Sequence, residues 1–155
     1  QMCIRDRYEE EVYLKQFQEL DPQDAEDIEK VIKGSGQTIR KRPYADTWVK
    51  YLKSKGYHVY ILSNYSSYML DHTKKELTFR REMDGEVFSC YANQLKPDAE
   101  IYQTILNKYQ LKPEECVFID DRPENCRGAQ EQGIHTICFK DFKQVTADLE
   151  KLGVK

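Results

Sequence analysis

The stretch Val117-Phe118-Ile119-Asp120-Asp121-Arg122-Pro123-Glu124-Asn125 places three apolar residues directly before two adjacent carboxylates. A short apolar run of this kind is typical of a buried strand in a parallel sheet. Pro123 predicts the start of a helix, because proline is well tolerated where a first-turn N–H has no partner. The two carboxylates therefore stand at the carboxyl end of a strand, where open α/β sheets bind their ligands.

Asp120 and Asp121 repel each other, and Arg122 alone compensates poorly for both charges. A hard divalent cation with oxygen ligands, Mg²⁺ above all, would resolve this repulsion. The sequence thus predicts a metal site at Asp121 and Asp120, with the oxygen-bearing side chain of Asn125 four positions after Asp121. The alternative is a solvated acidic turn, which is common but seldom stands directly on the end of an apolar strand.

The rest of the chain alternates between helical and strand-like patterns after residue 42. The predicted strands are 59–62, 87–89, 116–119 and 136–139, and the predicted helices around them are 44–55, 66–77, 98–109, 123–132 and 142–152. Short strands separated by helices indicate βαβ units and an α/β fold with a doubly wound, Rossmann-like parallel sheet. Two charged helical segments, 8–20 and 24–33, precede this region, with Asp24 as a predicted N-cap.

Composition excludes several classes of protein. The 155 residues carry a formal net charge of −3, which argues against a basic nucleic-acid-binding face. No apolar stretch approaches the roughly 20 residues that span a bilayer, and no signal-peptide pattern opens the chain. The five cysteines lack Cys-x-x-Cys spacing, so the sequence predicts neither a disulfide framework nor a zinc site. We expect a soluble, cytoplasmic protein without a membrane, nucleic-acid or evident protein partner.

Two further segments place polar groups after strands. Ser63 and Asn64 end the first predicted strand, and the amides that follow are suited to anionic oxygens, although a helix cap is the simpler role for Ser63 taken alone. Pro97 forces Lys96 into an extended conformation, which fixes where this point charge leaves the loop. A single surface lysine is usually solvated. The combination of hydroxyl, ammonium and paired acids, each after a strand, favours a phosphate site.

This ordered set resembles the haloacid dehalogenase-like hydrolase superfamily, in particular its phosphatase branch with a helical cap. The second, third and fourth signatures of that family match Ile61 to Asn64, Lys96 to Tyr102, and Asp120, Asp121 with Asn125. The resemblance extends closely over residues 42–140 and is greatest to sugar-phosphate phosphatases of the glucose-1-phosphate phosphatase type. It implies that residues 1–41 are the C-terminal part of a helical cap and that residues 42–155 are the Rossmann-like core.

The resemblance also implies an Mg²⁺-dependent phosphomonoester hydrolase that acts on a small phosphorylated metabolite, such as a sugar phosphate, through a phospho-aspartate. Ser63 and Lys96 would be catalytic and, with Asn64, would bind the phosphoryl group. Asp121 with Asp120 would hold Mg²⁺, and Asn125 would orient these ligands.

One departure from the family is serious. Its first signature, Asp-x-Asp after a central strand, occurs nowhere in these 155 residues. We therefore expect an N-terminally truncated, inactive fragment whose first central strand is missing. The alternatives are a pseudoenzyme that binds phosphorylated ligands without turnover and, less well matched because family dehalogenases lack the double acid and the metal, a haloacid dehalogenase. A receiver domain fits poorly, because its acid pair comes early in the chain.

Overall fold

The computed structural model describes residues 10–154, and of residues 10–13 it describes only the backbone. Its α-helices are α1 (Glu10–Leu20), α2 (Ala25–Gly34), α3 (Ala45–Ser54), α4 (Ser67–His72), α5 (Ser89–Ala92), α6 (Ala99–Tyr109), α7 (Pro123–Gln130) and α8 (Phe142–Lys151). Its strands are β1 (Tyr60–Ser63), β2 (Gly85–Phe88), β3 (Val117–Asp120) and β4 (His135–Cys138). Short 3-10 helices occupy Ser35–Thr38, Thr78–Glu82 and Pro113–Glu115. No helix within residues 10–154 is both long and apolar enough to cross a bilayer.

The strands confirm the α/β prediction. All four apolar runs form strands within two residues of the predicted bounds, and the strands pair in parallel, β1 with β2 and β3 with β4. The register places Leu62 opposite Val87 and Ile119 opposite Ile137. Parallel pairs need a crossover between their strands, and helical segments supply it: α4 in the first pair and α7 in the second.

The two strand pairs are separate two-stranded sheets. β1 and β3 therefore each have one edge that pairs with no strand among residues 10–154. Apolar strand residues such as Ile61 and Ile119 are only partly buried, whereas strands inside a parallel sheet are usually covered on both faces. The described sheet is thus open between its two halves.

Helices cover both faces of these strands, as the doubly wound prediction requires. Successive strand residues point to opposite faces, so Leu62 and Phe118 pack against the cluster that α6 and α7 form on one side. Ile61 packs against α4 and Ile119 packs against α8. The largest buried cluster joins the two sheets through α6 and consists of Val87, Ile101, Tyr102, Ile105, Ala129 and Ile134.

The N-terminal helices α1 and α2 pack against each other, and the Gln18 amide donates to the Ala25 carbonyl at 3.1 Å. α2 has no buried residue. Asp24 is the N-cap residue of α2, as predicted, but its side chain accepts no capping hydrogen bond. The predicted positions 8 and 9 of the first helix lie outside the described residues.

The predicted helix 66–77 is also shorter than expected, since α4 ends at His72. Ser66 caps its beginning by accepting from the Met69 N–H. At its end, the buried Thr73 hydroxyl donates to the Met69 carbonyl at 2.6 Å and lies 2.9 Å from the Tyr65 hydroxyl. Such local side-chain bonds compete with continuation of a helix.

Gly85 in β2 provides a test of this packing. A Cβ at this position would lie 2.2 Å from Cζ of Tyr109, whose hydroxyl accepts from the Glu86 N–H at 2.8 Å. We expect Gly85→Ala to displace the tyrosine ring and to lower the free energy of unfolding by about 1–3 kcal/mol, measured by urea denaturation. Gly34→Ala is the control, because nothing lies within 4 Å of its Cβ position. Equal stability of the two variants would contradict the packing described for Tyr109.

Candidate active site at the carboxyl edge of the strands

A buried ion pair between Lys96 and Asp120 is the centre of the site. Lys96 Nζ lies 2.6 Å from Oδ2 of Asp120, the last residue of β3, and the two side chains are only 8% and 7% exposed. The same ammonium donates to the Leu62 carbonyl of β1 at 2.9 Å and lies 5.3 Å from the ring centroid of Phe118. Lys96 thus connects the carboxyl ends of the two separate sheets.

The second oxygen of Asp120 is also occupied. Oδ1 accepts from the Arg122 N–H and from the Asn125 amide, each at 2.9 Å. Burial alone would raise the pKa of Asp120, but the hydrogen bonds from Lys96, Arg122 and Asn125 outweigh it and hold this pKa below its ordinary value. Asp120 is therefore a fixed anion at neutral pH.

The position of Asn125 is itself fixed by a hydrogen bond to its backbone. It is buried near the start of α7, and the Tyr102 hydroxyl of α6 donates to its carbonyl at 2.7 Å. Tyr102 is completely buried and packs edge-to-face on Phe118, so its own position is fixed. Burial raises the pKa of Tyr102 far above its ordinary value, which keeps the hydroxyl a donor.

Asp121 differs from Asp120 in its exposure and in its hydrogen bonding. It is exposed, and none of the side chains described between residues 14 and 154 forms an ion pair or hydrogen bond with its carboxylate. Arg122, the adjacent cation, instead pairs with Glu124 through its Nε at 2.8 Å. The two carboxylates are thus divided into one that is fully engaged by the protein and one that is open to solvent.

Ser63 lies between two residues that contact Lys96. The Leu62 carbonyl before it accepts from the lysine ammonium, and the Asn64 side chain after it binds the lysine backbone. Ser63 is partly buried, and no described residue forms a hydrogen bond with its hydroxyl. Its hydroxyl is therefore available at the same edge as the ion pair.

The predicted set of amides after Ser63 is only partly available to an anion. The Tyr65 N–H donates to the buried Ser89 hydroxyl at 2.9 Å. Ser66, and not Ser63, is the N-cap of the following helix.

The structure thus brings Asn64, Lys96, Asp120 and Asn125 into one network and places Ser63 and Asp121 beside it in the chain. Sequence reasoning missed the contact between the two carboxyl ends through the Leu62 carbonyl and the support from Tyr102. The Lys-Pro-Asp-x-x-Ile-Tyr pattern was visible, but nothing in it indicated that its tyrosine reaches the helix after the acids. The charge of Asp120 is compensated by a lysine 24 positions away.

Loss of the lysine charge should destabilise the protein at neutral pH. Lys96→Met leaves Asp120 buried without its counter-ion, and removal of one partner from a buried pair typically costs about 3–5 kcal/mol. Because the folded-state pKa of Asp120 is lowered, the ion pair stabilises the protein above the ordinary pKa of an aspartate and loses this effect as pH falls through the lowered value. We therefore expect the free energy of unfolding, measured by urea denaturation, to differ strongly between wild type and Lys96→Met at neutral pH. This difference should shrink in acid.

Lys112→Met is the matched control, because the ion pair of Lys112 with Glu115 is exposed. It should change stability little at any pH. A pH-independent effect of Lys96→Met would show that lost packing, and not the ion pair, is responsible.

Comparison with known proteins indicates the family of this chain. The family model for haloacid dehalogenase-like hydrolases matches residues 5–133. Flavin mononucleotide hydrolase 1 of Arabidopsis thaliana is 39% identical over 66 residues, which are 43% of this chain and 27% of that protein. (S)-2-haloacid dehalogenase 4A of Burkholderia cepacia is 32% identical over 95 residues, which are 61% of this chain and 41% of that protein. The chain therefore spans less than half the length of both relatives.

A solved structure is similar over much of the chain. It is that of a HAD family enzyme variant from Bacteroides thetaiotaomicron in complex with magnesium and inorganic phosphate. The TM-score is 0.62 with 28% identity, and the match covers 69% of this chain and 59% of that one. Since the family model spans most of the 155 residues and the parallel α/β fold agrees with it, the chain belongs to the haloacid dehalogenase-like hydrolase family.

Proposed function

We propose that this chain forms the phosphoryl-binding and metal-binding part of an Mg²⁺-dependent phosphomonoester hydrolase. The observation that carries this proposal is the buried Lys96–Asp120 pair next to the exposed, unpaired Asp121. A fixed cation and a free carboxylate at one sheet edge suit a phosphate monoester. The negatively charged phosphoryl group would lie near the cation, and the metal ion that accompanies it would bind the carboxylate. The magnesium and phosphate in the Bacteroides thetaiotaomicron enzyme support the same assignment.

In this proposal Ser63 and Lys96 are the catalytic residues that this chain supplies. The Ser63 hydroxyl donates a hydrogen bond to a non-transferring phosphoryl oxygen, and the Lys96 ammonium compensates the charge that builds up on the phosphoryl group. Asn64 takes part in phosphate binding through its backbone, because both polar atoms of its side chain are engaged by Lys96. Each of these groups acts by position and charge, which is the main requirement of phosphoryl transfer.

The residues present fit Mg²⁺. Among the side chains described, those of residues 14–154, no group of three or more His, Cys, Asp or Glu could hold a metal by itself. Mg²⁺, however, is commonly bound by one or two carboxylates together with water and substrate phosphate. Asp121 would be the direct ligand and Asp120 its close support, while Asn125 keeps Asp120 oriented. A bound Mg²⁺ would neutralise phosphate charge during transfer.

The attacking group is not among the residues of this chain. The family mechanism that we propose for the intact protein passes through a phospho-aspartate, and the 155 residues contain no Asp-x-Asp. Ser63 has no adjacent general base among the described residues. The ammonium of Lys96 is held in the ion pair with Asp120, so this lysine acts as a cation and not as a nucleophile. The proposal therefore assigns phosphoryl binding and metal binding, but not attack, to these residues.

We propose that residues 1–41 belong to a helical cap and that residues 42–155 belong to the core. The pairing of α1 with α2 supports this division. In the same proposal the substrate is a small phosphorylated metabolite such as a sugar phosphate, since the cap would close over a compact ligand. The free thiols of Cys90, Cys116, Cys126 and Cys138 are compatible with a reduced, cytoplasmic location, which fractionation of the source cells would test.

Haloacid dehalogenation is the second candidate, because one relative is an (S)-2-haloacid dehalogenase. The third is a pseudoenzyme that keeps the phosphate site without turnover, which the absence of Asp-x-Asp in this chain favours. The same assays distinguish all three.

The 155-residue chain alone should release no phosphate from p-nitrophenyl phosphate in the presence of Mg²⁺, because it lacks the attacking carboxylate. A protein in which a strand ending in Asp-x-Asp is joined in frame ahead of residue 10 should hydrolyse the ester with Mg²⁺ dependence and form a trappable acyl phosphate. Turnover by the chain alone would overturn the proposal. Binding of inorganic phosphate without turnover by the joined protein would favour the pseudoenzyme, and chloride release from 2-chloropropionate would favour the dehalogenase.

In the joined protein, Asp121→Asn should lower activity by at least the roughly 10–100-fold that even outer ligand partners cost in metal sites. It should also raise the Mg²⁺ concentration needed for half-maximal rate, since an amide is a weaker ligand than a carboxylate. Asp141→Asn is the control, because Asp141 is likewise exposed after a strand but only caps α8, a role that asparagine fills well. Identical Mg²⁺ titrations of the two variants would remove Asp121 from the metal site.

A further inference from the structure

We propose that the side chain of Asn64 is a positioning residue that holds the backbone of Lys96 and thereby aims its ammonium at the Asp120 carboxylate. Asn64 Oδ1 accepts from the Lys96 N–H, and Asn64 Nδ2 donates to the Lys96 carbonyl, each at 2.9 Å. The two bonds engage both polar atoms of the asparagine and both backbone groups of the lysine. This inference deepens the proposed function, in which Lys96 is the cation of the phosphoryl site.

The arrangement requires an asparagine. An amide carries a donor and an acceptor at the same end of a short side chain, which matches the N–H and C=O of one residue. Aspartate keeps the acceptor but loses the donor, and alanine loses both. The pattern resembles one rung of strand pairing, with a side chain in place of the second strand.

Lys96 needs such a restraint more than most lysines. Its side chain has four rotatable carbon–carbon bonds and a compact charge that is not directional, yet its ammonium must reach both the Leu62 carbonyl and Asp120 Oδ2. Fixing the backbone reduces the number of conformations that compete with this one. Asn64 follows β1 and Asp120 ends β3. The two hydrogen bonds from Asn64 therefore hold the lysine loop against the first sheet, while the Lys96 ammonium binds the second.

The opposite side of the lysine loop is held by packing. A Cβ on Gly128 of α7 would lie 2.4 Å from the Pro97 carbonyl oxygen, so this glycine allows the helix to approach the loop directly. The loop therefore has a polar restraint from Asn64 on one side and a steric one from α7 on the other. Of the two, only the polar restraint can be removed without inserting atoms into the core.

Because Asn64 is exposed, its hydrogen bonds exchange with water and should contribute little to global stability. Their loss should instead appear at the Lys96 ammonium. The direct readout is the ¹H–¹⁵N signal of lysine NH₃⁺ groups at low temperature and mildly acidic pH, where only buried, hydrogen-bonded ammonium groups exchange slowly. Disappearance of one signal in Lys96→Arg assigns it.

We expect Asn64→Ala to remove the Lys96 signal or to speed its hydrogen exchange at least tenfold, and Asn64→Asp to have an intermediate effect. Asn107→Ala, a change at an exposed asparagine of α6 whose side chain makes no described hydrogen bond, should leave the signal as in wild type. Backbone amide spectra verify that each variant is folded. If Asn64→Ala does not fold, Asn64→Asp tests the proposal instead.

An unchanged Lys96 signal in folded Asn64→Ala, or no slowly exchanging Lys96 signal in wild type, would overturn the proposal. A fall in melting temperature with the Lys96 signal retained would also overturn it, because that result describes a merely structural asparagine. The measurement needs neither substrate nor Mg²⁺. Failure of the proposed phosphatase activity would therefore leave its outcome unaffected.

Discussion

The described structure depends on the buried contact between the Lys96 ammonium, the Asp120 carboxylate and the Leu62 carbonyl. β1 and β3 form no hydrogen bonds with each other, so this ammonium is the polar connection between their carboxyl ends. Away from the carboxyl ends, the two sheets are connected by apolar contacts through the cluster around α6. A buried charge is tolerated only when it is paired and hydrogen-bonded, and this requirement dictates much of the surrounding structure.

That requirement explains the residues around the ion pair. Asp120 still needs donors for its second oxygen, and the Arg122 N–H and the Asn125 amide provide them. Asn125 in turn is fixed by the Tyr102 hydroxyl, which comes from the helix that directly follows the Lys96 loop. The segment 96–102 therefore supplies both the counter-ion of Asp120 and the hydroxyl that holds Asn125, the neutral donor to Asp120. Where side chains are described, from residue 14 to residue 154, no buried side-chain N or O atom lacks a hydrogen-bond partner.

The ion pair also gives the two adjacent acids different properties. With Asp120 committed to Lys96 and its other donors, Asp121 remains an exposed carboxylate at the same strand end. Repulsion between the acids is reduced because the protein compensates one of them internally. A sequence with two neighbouring aspartates thus yields one structural anion and one that is free for an external cation.

Hydrophobic runs and their flanking residues are local signals. They were enough to predict the α/β class, the four parallel strands and the polar residues at the carboxyl ends of these strands. The apolar run before Asp120 and the proline after Arg122 define β3 and α7 wherever the rest of the chain lies. Three features became visible only in the folded chain: Lys96 pairs with Asp120, the Asn64 side chain binds the lysine backbone, and helix α4 stops at His72. They depend on which loops meet across the sheet edge and on competing side-chain hydrogen bonds, and neither of these produces a periodic pattern in the sequence.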